Sequence, residues 1–322
     1  MVLPLVTEFG HGISAIDAQY HRPCRAAIHL LVEQGMAALI DTGTNFSIPG
    51  VVEVLKSKRI PLENIAYVIL THIHLDHAGG ASECMHLFPN AKLVVHPRGA
   101  SHMINPTRLV AGASSVYGAE EFKRVYGEIQ CIDEHRIIEA PDNHCIDLNG
   151  RLLCFLDTPG HARHHVCIYD ERSQSMFTGD TFGVSYREFD VNGMEFVFPT
   201  TSPVQFDPDA AHASLDRIMS FKPQFAYLTH YSRITHLEQH ASAMHRLIDA
   251  HVAIAQNANT PQSDRQSVIS EELKALFKQC LSTHDCRLSE VEVNQLLRSD
   301  IKLNAQGLVY WLDHPTERFK SI

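Results

Sequence analysis

Three histidines and an aspartate lie within six positions of the segment THIHLDHAGG, residues 71–80. If the backbone is extended or turn-like, side chains alternate, so His72 and His74 point one way. Asp76 and His77 then point toward a neighbouring volume. Imidazole nitrogens and carboxylate oxygens bind divalent metal ions, so each pair could hold one ion with further ligands from elsewhere. The alternative is a polar loop in a chain that contains 22 histidines.

Candidates for the missing ligands follow other strand-like runs. NIAYVIL is a continuous apolar run, the pattern of a strand buried on both faces, and it leads into His72. Similar runs lead to His161 in DTPGH, Asp180 in FTGD and His230 in LTH. Strands of one sheet, or of two packed sheets, can bring their ends together along one edge. The pattern therefore predicts that these residues converge.

Seven nitrogen and oxygen ligands shared by two ions leave positions open for water, as in catalytic rather than structural sites. A carboxylate can bridge the ions with its two oxygens. Two divalent ions about 3.5–4 Å apart lower the pKa of a bound water toward about 7, and the resulting hydroxide can attack a polarised carbonyl or phosphoryl group. Zinc, iron and manganese all suit such ligands. The residues thus predict a dinuclear hydrolytic centre.

The motifs THIHLDH, TPGH, TGD and the later TH resemble, in order and spacing, those of the metallo-β-lactamase superfamily, over about residues 10–235. The resemblance implies an α/β fold, an αββα sandwich with the metals at one edge of its two sheets. It also implies which residues share each ion. The implied ligands are His72, His74 and His161 for the first ion, Asp76, His77 and His230 for the second, and Asp180 as the bridge.

The same resemblance bears on residues around the ligands. The segment DTG matches a family loop, which implies that Asp41 accepts hydrogen bonds and orients ligand imidazoles. Many hydrolases of the superfamily, glyoxalase II among them, have glycine where TPGHARHH has His164. We therefore expect His164 to face the pocket or a neighbour, whereas His165 fits a structural role as well as substrate contact. Tyr186, in the aromatic segment after Asp180, is a candidate for substrate contact.

The chain changes character after residue 235. Strand-like and helical patterns alternate before it, and residues 101–130 are predicted to be helical with a break near Gly112. We predict a catalytic domain over residues 1–235 and a C-terminal helical extension over 236–322. Within the extension, Ser289 and Glu292 have the spacing of a capping box, and NAQGLVYWLDH is interpreted as a separate final segment.

Composition limits the partners. The formal net charge is −10 without a block of lysine or arginine, which argues against binding to nucleic acid or to an anionic membrane. The N-terminus lacks a signal-peptide pattern and no run approaches the roughly 20 apolar residues of a membrane span, so we expect a cytoplasmic protein with reduced cysteines. A small-molecule substrate is expected. Apolar faces on the extension are compatible with a homodimer.

The leading hypothesis is a metal-dependent hydrolase that cleaves an ester, thioester or lactone by attack of metal-bound hydroxide. Asp76 would be both a ligand and a proton shuttle to the leaving group. The expected cofactors are two divalent ions, zinc or iron, with manganese as a third candidate. The alternative is a di-iron oxygen-binding, redox or sensor protein with little hydrolase activity. Histidines outside the motifs, such as His96 and His212, have no partner that the sequence identifies.

Overall fold

The computed structural model describes residues 3–258 and 260–315, which contain two β-sheets and ten α-helices. The first sheet has seven strands in chain order, antiparallel from β1 to β4 and parallel from β4 to β7. Its strands are β1 Val6–Glu8, β2 Ile13–Asp17, β3 Ala27–Glu33, β4 Met36–Ile40, β5 Ile65–Ile69, β6 Lys92–Val95 and β7 Ile137–Glu139.

The second sheet has six strands in reverse chain order, with β11 and β12 parallel. Its strands are β8 Cys145–Leu148, β9 Arg151–Asp157, β10 Val166–Asp170, β11 Ser175–Gly179, β12 Phe225–Leu228 and β13 Ser232–Ile234. The helices are α1 Ile48–Ser57, α2 Leu75–Ala78, α3 Ala81–Leu87, α4 Pro97–Ile104, α5 Thr107–Tyr117, α6 Ala119–Tyr126, α7 Pro208–Ser220, α8 Leu237–Asn257, α9 Gln262–Thr283 and α10 Glu290–Asp313.

The chain forms two compact units. The first contains the residues up to Asp157, 164–179 and 225–233; the second contains 158–163, 180–224 and the residues from Ile234 onward. This division does not follow a single cut in the chain. The boundary between residues 235 and 236 stays a prediction of the sequence.

The core of the first unit explains why its central strands are apolar throughout. Alternate side chains of β4 enter two different clusters: Ile40 packs with Phe155 and Phe177 of the second sheet, whereas Leu39 packs with Val51 of α1. A strand covered on both faces cannot show an alternating polar pattern. The expected α/β class, with two sheets and a C-terminal helical region, is confirmed.

Local predictions had mixed outcomes. The predicted capping box of Ser289 and Glu292 is present and begins α10. The break near Gly112 was wrong: Gly112 lies inside α5, and the helical run is interrupted at residues 105–106 and at Gly118, whose φ is +85°. A φ in this range favours glycine, whereas a helix tolerates an exposed glycine at modest cost.

NAQGLVYWLDH is not a separate segment but the end of α10, a helix of 24 residues. The buried Asn304 of this helix accepts a hydrogen bond from the Thr201 backbone N–H and donates one to the Pro199 carbonyl. A Cβ on Gly307 would lie 1.5 Å from the Thr201 carbonyl oxygen. Glycine inside the helix is therefore required by the close approach of the 199–201 backbone.

The expectation that all cysteines are reduced was wrong for one pair. Cys145 and Cys154 lie directly opposite each other on β8 and β9 and form a disulfide. Of the six free cysteines, Cys84 and Cys167 are buried and Cys131 is exposed. Each helix of the part of the chain that the structure describes is too short or too polar to cross a lipid bilayer.

Candidate metal centre

Asp41 is a buried carboxylate at the end of β4, and it accepts hydrogen bonds from three residues. One oxygen accepts from the Thr71 backbone N–H at 2.8 Å, and the Thr71 hydroxyl also lies within 3.0 Å of the carboxylate. The other oxygen lies 2.6 Å from the Thr229 hydroxyl and 2.8 Å from Nδ1 of His77. These donors satisfy both oxygens of a carboxylate that is fully buried.

Thr71 and Thr229 are functional-site residues that the sequence analysis missed. A signal was present, because the tripeptide Leu-Thr-His occurs twice, at 70–72 and at 228–230. The first copy follows β5 in one sheet and the second follows β12 in the other. Each copy directs its threonine hydroxyl to Asp41 and places a histidine immediately after it.

Asp76, His77 and His230 form a compact cluster in the first unit. Their ligand atoms all lie within 4.8 Å of one another. Oδ2 of Asp76 is 3.3 Å from Nε2 of His230 and 3.9 Å from Nε2 of His77. The short helix α2 carries Asp76 and His77, and its preceding residue His74 is extended, so the backbone turns sharply within the motif.

The hydrogen-bond partners of His77 and His230 leave the nitrogens that face the cluster free of hydrogen, as binding of a cation requires. Nδ1 of His77 faces the Asp41 carboxylate, and Nδ1 of His230 lies 2.7 Å from the Arg25 carbonyl oxygen. Both partners can only accept, so each neutral ring has its hydrogen on Nδ1 and a lone pair on Nε2. Two imidazole lone pairs and a carboxylate then converge. This is the usual arrangement of metal-binding histidines, whose other nitrogen donates to a carboxylate or a backbone carbonyl.

His72 and His74 lie beside this cluster, in the same unit. Nε2 of His72 is 2.9 Å from Nδ1 of His74, and the rings of His72 and His77 have centroids 4.0 Å apart. His164 and His165 stack near His72, with centroid distances of 6.2 and 5.0 Å.

Both of these flanking histidines are buried. Nδ1 of His164 accepts a long 3.5 Å hydrogen bond from the Ile73 backbone N–H, and the His164 φ is not positive, so this position does not require glycine. A Cβ on Gly179, whose φ is +48°, would lie 2.5 Å from Nε2 of His165. His165 thus fills the space that glycine leaves open at the end of β11.

The two remaining predicted ligands, His161 and Asp180, belong to the second unit and lie next to each other. Nε2 of His161 is 3.6 Å from Oδ2 of Asp180, and Nδ1 of His161 is 3.4 Å from the Thr200 carbonyl oxygen. This again puts the lone pair of the ring on Nε2.

Helix α7 supports the loop that carries His161. Gly160 has φ +133°, and a Cβ there would lie 2.5 Å from Cα of Ala211. The Ser214 hydroxyl donates to the Pro159 carbonyl at 2.6 Å. The glycine of TPGH is therefore needed both for its backbone conformation and for the close approach of α7.

Tyr186, the candidate for substrate contact, is buried in the second unit, and its hydroxyl donates to Asp300 of α10 at 2.9 Å. Asp300 is 114 positions away in the sequence. The contact fixes the tyrosine hydroxyl, and the expected substrate contact stays a prediction.

Comparison with known proteins assigns this chain to a family. Residues 21–230 match the family model of the metallo-β-lactamase superfamily, and the chain belongs to this superfamily. The metallo-β-lactamase fold-containing protein ST1585 of Sulfurisphaera tokodaii is 28% identical over 240 residues, which cover 73% of this chain and 83% of that protein. Its crystal structure matches with a TM-score of 0.63 at 24% identity, covering 92% of this chain and 98% of that chain.

Two other similar proteins are named for different activities. Human acyl-coenzyme A thioesterase MBLAC2 is 25% identical over 192 residues, which cover 54% of this chain and 64% of that protein. The structure of a peroxy diiron species of the chemotaxis sensor ODP from T. denticola has a TM-score of 0.54 at 15% identity, covering 76% of this chain and 94% of that chain. The second similarity concerns the fold alone.

Proposed function

We propose that this protein is a dinuclear metal-dependent hydrolase that cleaves the thioester, ester or lactone of a small molecule. The observation that carries the proposal is the convergence of Asp76, His77 and His230, with the histidine hydrogens held on Nδ1 by acceptors. The proposed ligand set is completed, from the family pattern, by His72, His74, His161 and Asp180. When bound, the ions would supply a water molecule of lowered pKa and an electrophilic centre.

Asp76 is the residue that we assign to proton transfer. Its side chain is 24% exposed, whereas those of His77 and His230 are 0% and 7% exposed. An ionised carboxylate beside the attacking water can take its proton and deliver it to the leaving sulfur or oxygen as the acyl bond breaks. Asp41 accepts from Nδ1 of His77 and so keeps that ring in the tautomer that binds metal.

A small acyl compound is the substrate class that we favour. The net charge of −10 disfavours a polyanionic nucleic acid or a membrane surface. Thioesters are favoured over other acyl compounds because the human relative is named as an acyl-coenzyme A thioesterase and a relative from Passalora fulva as an atrochrysone carboxyl ACP thioesterase. Thiolates are good leaving groups, so the chemistry needs only a positioned nucleophile and a proton acceptor.

The test has two steps on the full chain purified without added metal or chelator. Elemental mass spectrometry should find about two ions of zinc, manganese or iron per chain. Turnover is then measured on a panel of acyl-thioesters, aryl esters and lactones, and Asp76→Ala should lower kcat at least about 100-fold. Asp264→Ala, an exposed carboxylate on α9, is the matched control and should keep full activity.

A di-iron oxygen-binding or sensor protein is the second candidate, because the cluster contains nitrogen and oxygen donors that suit iron as well as zinc. Two irons per chain, no turnover on the panel and an optical change under oxygen would favour it over the hydrolase. Fewer than one ion of any metal after reconstitution would contradict both.

A further inference from the structure

A second group of histidines lies in the second unit, on helices α7 and α8. Each helix carries a histidine and, four residues later, an aspartate on the same face: His212 and Asp216 on α7, His245 and Asp249 on α8. We call these four residues the histidine clip. They have no part in the ligand set described above.

The clip has a crossed geometry. The two imidazole rings are parallel, with an interplanar angle of 4° and centroids 4.9 Å apart. Nε2 of His212 lies 3.1 Å from Oδ1 of Asp249, and Nε2 of His245 lies 3.2 Å from Oδ1 of Asp216. Each ring is therefore paired with the carboxylate of the other helix.

The two remaining ring nitrogens face each other. Nδ1 of His212 is 2.6 Å from Nδ1 of His245. A carboxylate can only accept, so each Nε2 carries a hydrogen, and a neutral ring then has a lone pair on Nδ1. Two lone pairs at this distance repel each other. A metal ion between the two nitrogens would turn this repulsion into attraction.

We propose that the histidine clip binds one divalent ion of borderline character, Zn²⁺, Cu²⁺ or Ni²⁺, through Nδ1 of His212 and Nδ1 of His245. Imidazole suits these ions, and a carboxylate behind each ligand is the arrangement that raises the basicity of metal-binding histidines. Water would occupy the other positions. The site joins α7 to α8.

The two histidine side chains can move apart to the nitrogen–nitrogen distance that a bound ion requires. Two nitrogens at about 2.0–2.1 Å from a tetrahedral ion lie about 3.3 Å apart, so the rings must separate by less than 1 Å. His212 and His245 are 27% and 30% exposed, and the two aspartates about three-quarters exposed. Partly exposed side chains on a helix surface can make this adjustment without disturbing a core.

The test measures how many zinc ions each chain binds with and without the two histidines of the clip. The full chain and the His212→Gln/His245→Gln variant are dialysed against Zn²⁺ and analysed by elemental mass spectrometry, with His86→Gln/His135→Gln, two exposed histidines of the first unit, as the control. The clip variant should hold one ion fewer per chain than the wild type and the control. The same difference should persist in an Asp76→Ala background, which separates this result from the fate of the proposed catalytic centre.

A second measurement covers the case in which the double variant does not fold. Asp216→Asn/Asp249→Asn keeps both imidazoles and should weaken metal binding at the clip about 10–100-fold. Equal ion counts in wild type and clip variant, or no change on altering the aspartates, would mean that a shared proton occupies the clip and would overturn the proposal.

Discussion

Asp41 lies behind the imidazole of His77 and Asp249 behind that of His212, and these two carboxylate–imidazole pairs differ in their surroundings. The nitrogen–oxygen distances are similar, 2.8 and 3.1 Å. The surroundings differ: Asp41 is fully buried and accepts from two threonines besides the histidine, whereas the side chain of Asp249 is 75% exposed. Asp41 therefore holds several segments of the fold together, whereas Asp249 only orients the ring of His212.

The strongest test of this difference removes the buried carboxylate. Asp41→Ala leaves the Thr71 N–H, the Thr229 hydroxyl and Nδ1 of His77 without their acceptor. Each buried donor left unsatisfied costs about 1–3 kcal/mol, so the free energy of unfolding should fall by at least about 3 kcal/mol. Urea denaturation of wild type and variant measures the change. A loss below about 1 kcal/mol would contradict the central role of Asp41.

The pH dependence of the free energy of unfolding should depend on a buried histidine of helix α8. Burial lowers the pKa of His251 from 6.5 to about 4, so the folded protein binds this proton less readily than the unfolded chain. The contribution of the neutral His251 to the free energy of unfolding is therefore complete above pH 6.5 and is lost as the pH falls toward 4. Between pH 7 and pH 5 the free energy of unfolding should fall by about 2 kcal/mol on this account.

Urea denaturation at both pH values checks this expectation. His251→Leu should remove that part of the acid sensitivity, whereas His245→Gln, at a partly exposed position of the same helix, should retain it. Identical pH dependence in wild type and His251→Leu would contradict the assignment to His251.

A smaller effect is expected from one threonine of the repeated Leu-Thr-His. Thr229→Val removes the hydroxyl that donates to Asp41 at 2.6 Å, and a hydrogen bond to a charged group contributes about 1.5–3 kcal/mol. The unfolding free energy should fall within that range, and Thr229→Ser should restore most of it. Thr71→Val should cost less, because the Thr71 backbone N–H still donates to Asp41.

The smallest effect completes the comparison. Asp249→Ala removes an exposed carboxylate with one partner, so stability without added metal should change by less than about 0.5 kcal/mol. If Asp249→Ala lowered the free energy of unfolding as much as Asp41→Ala does, solvent exposure would not explain why the two carboxylates differ. Thermal denaturation with and without Zn²⁺ should show a smaller metal-induced rise in Tm for this variant than for wild type.

The strands and the capped start of α10 could be predicted because their signals are local: apolar runs bounded by polar residues and a serine–glutamate spacing. The ligand candidates were found in the same way, at strand ends. The Asp41 contacts, the histidine clip and the Tyr186–Asp300 hydrogen bond join residues 30 to 188 positions apart. Such pairs depend on how strands and helices register against each other, which no local pattern specifies. Gly112 was misjudged because an exposed glycine costs a helix little, and the join within α10 because Asn304 and Gly307 are held against the 199–201 backbone.

Asp41 also has a consequence for how the chain folds. Thr71 follows a strand of the first sheet and Thr229 a strand of the second, so the carboxylate gains all its donors only when both sheets have formed. A state with only the first sheet in place would lack the Thr229 hydroxyl, one of the four donors to this carboxylate, and the missing donor disfavours that state. Partly assembled forms of this unit should be sparsely populated. A single carboxylate thus favours cooperative, all-or-none closure of the two sheets.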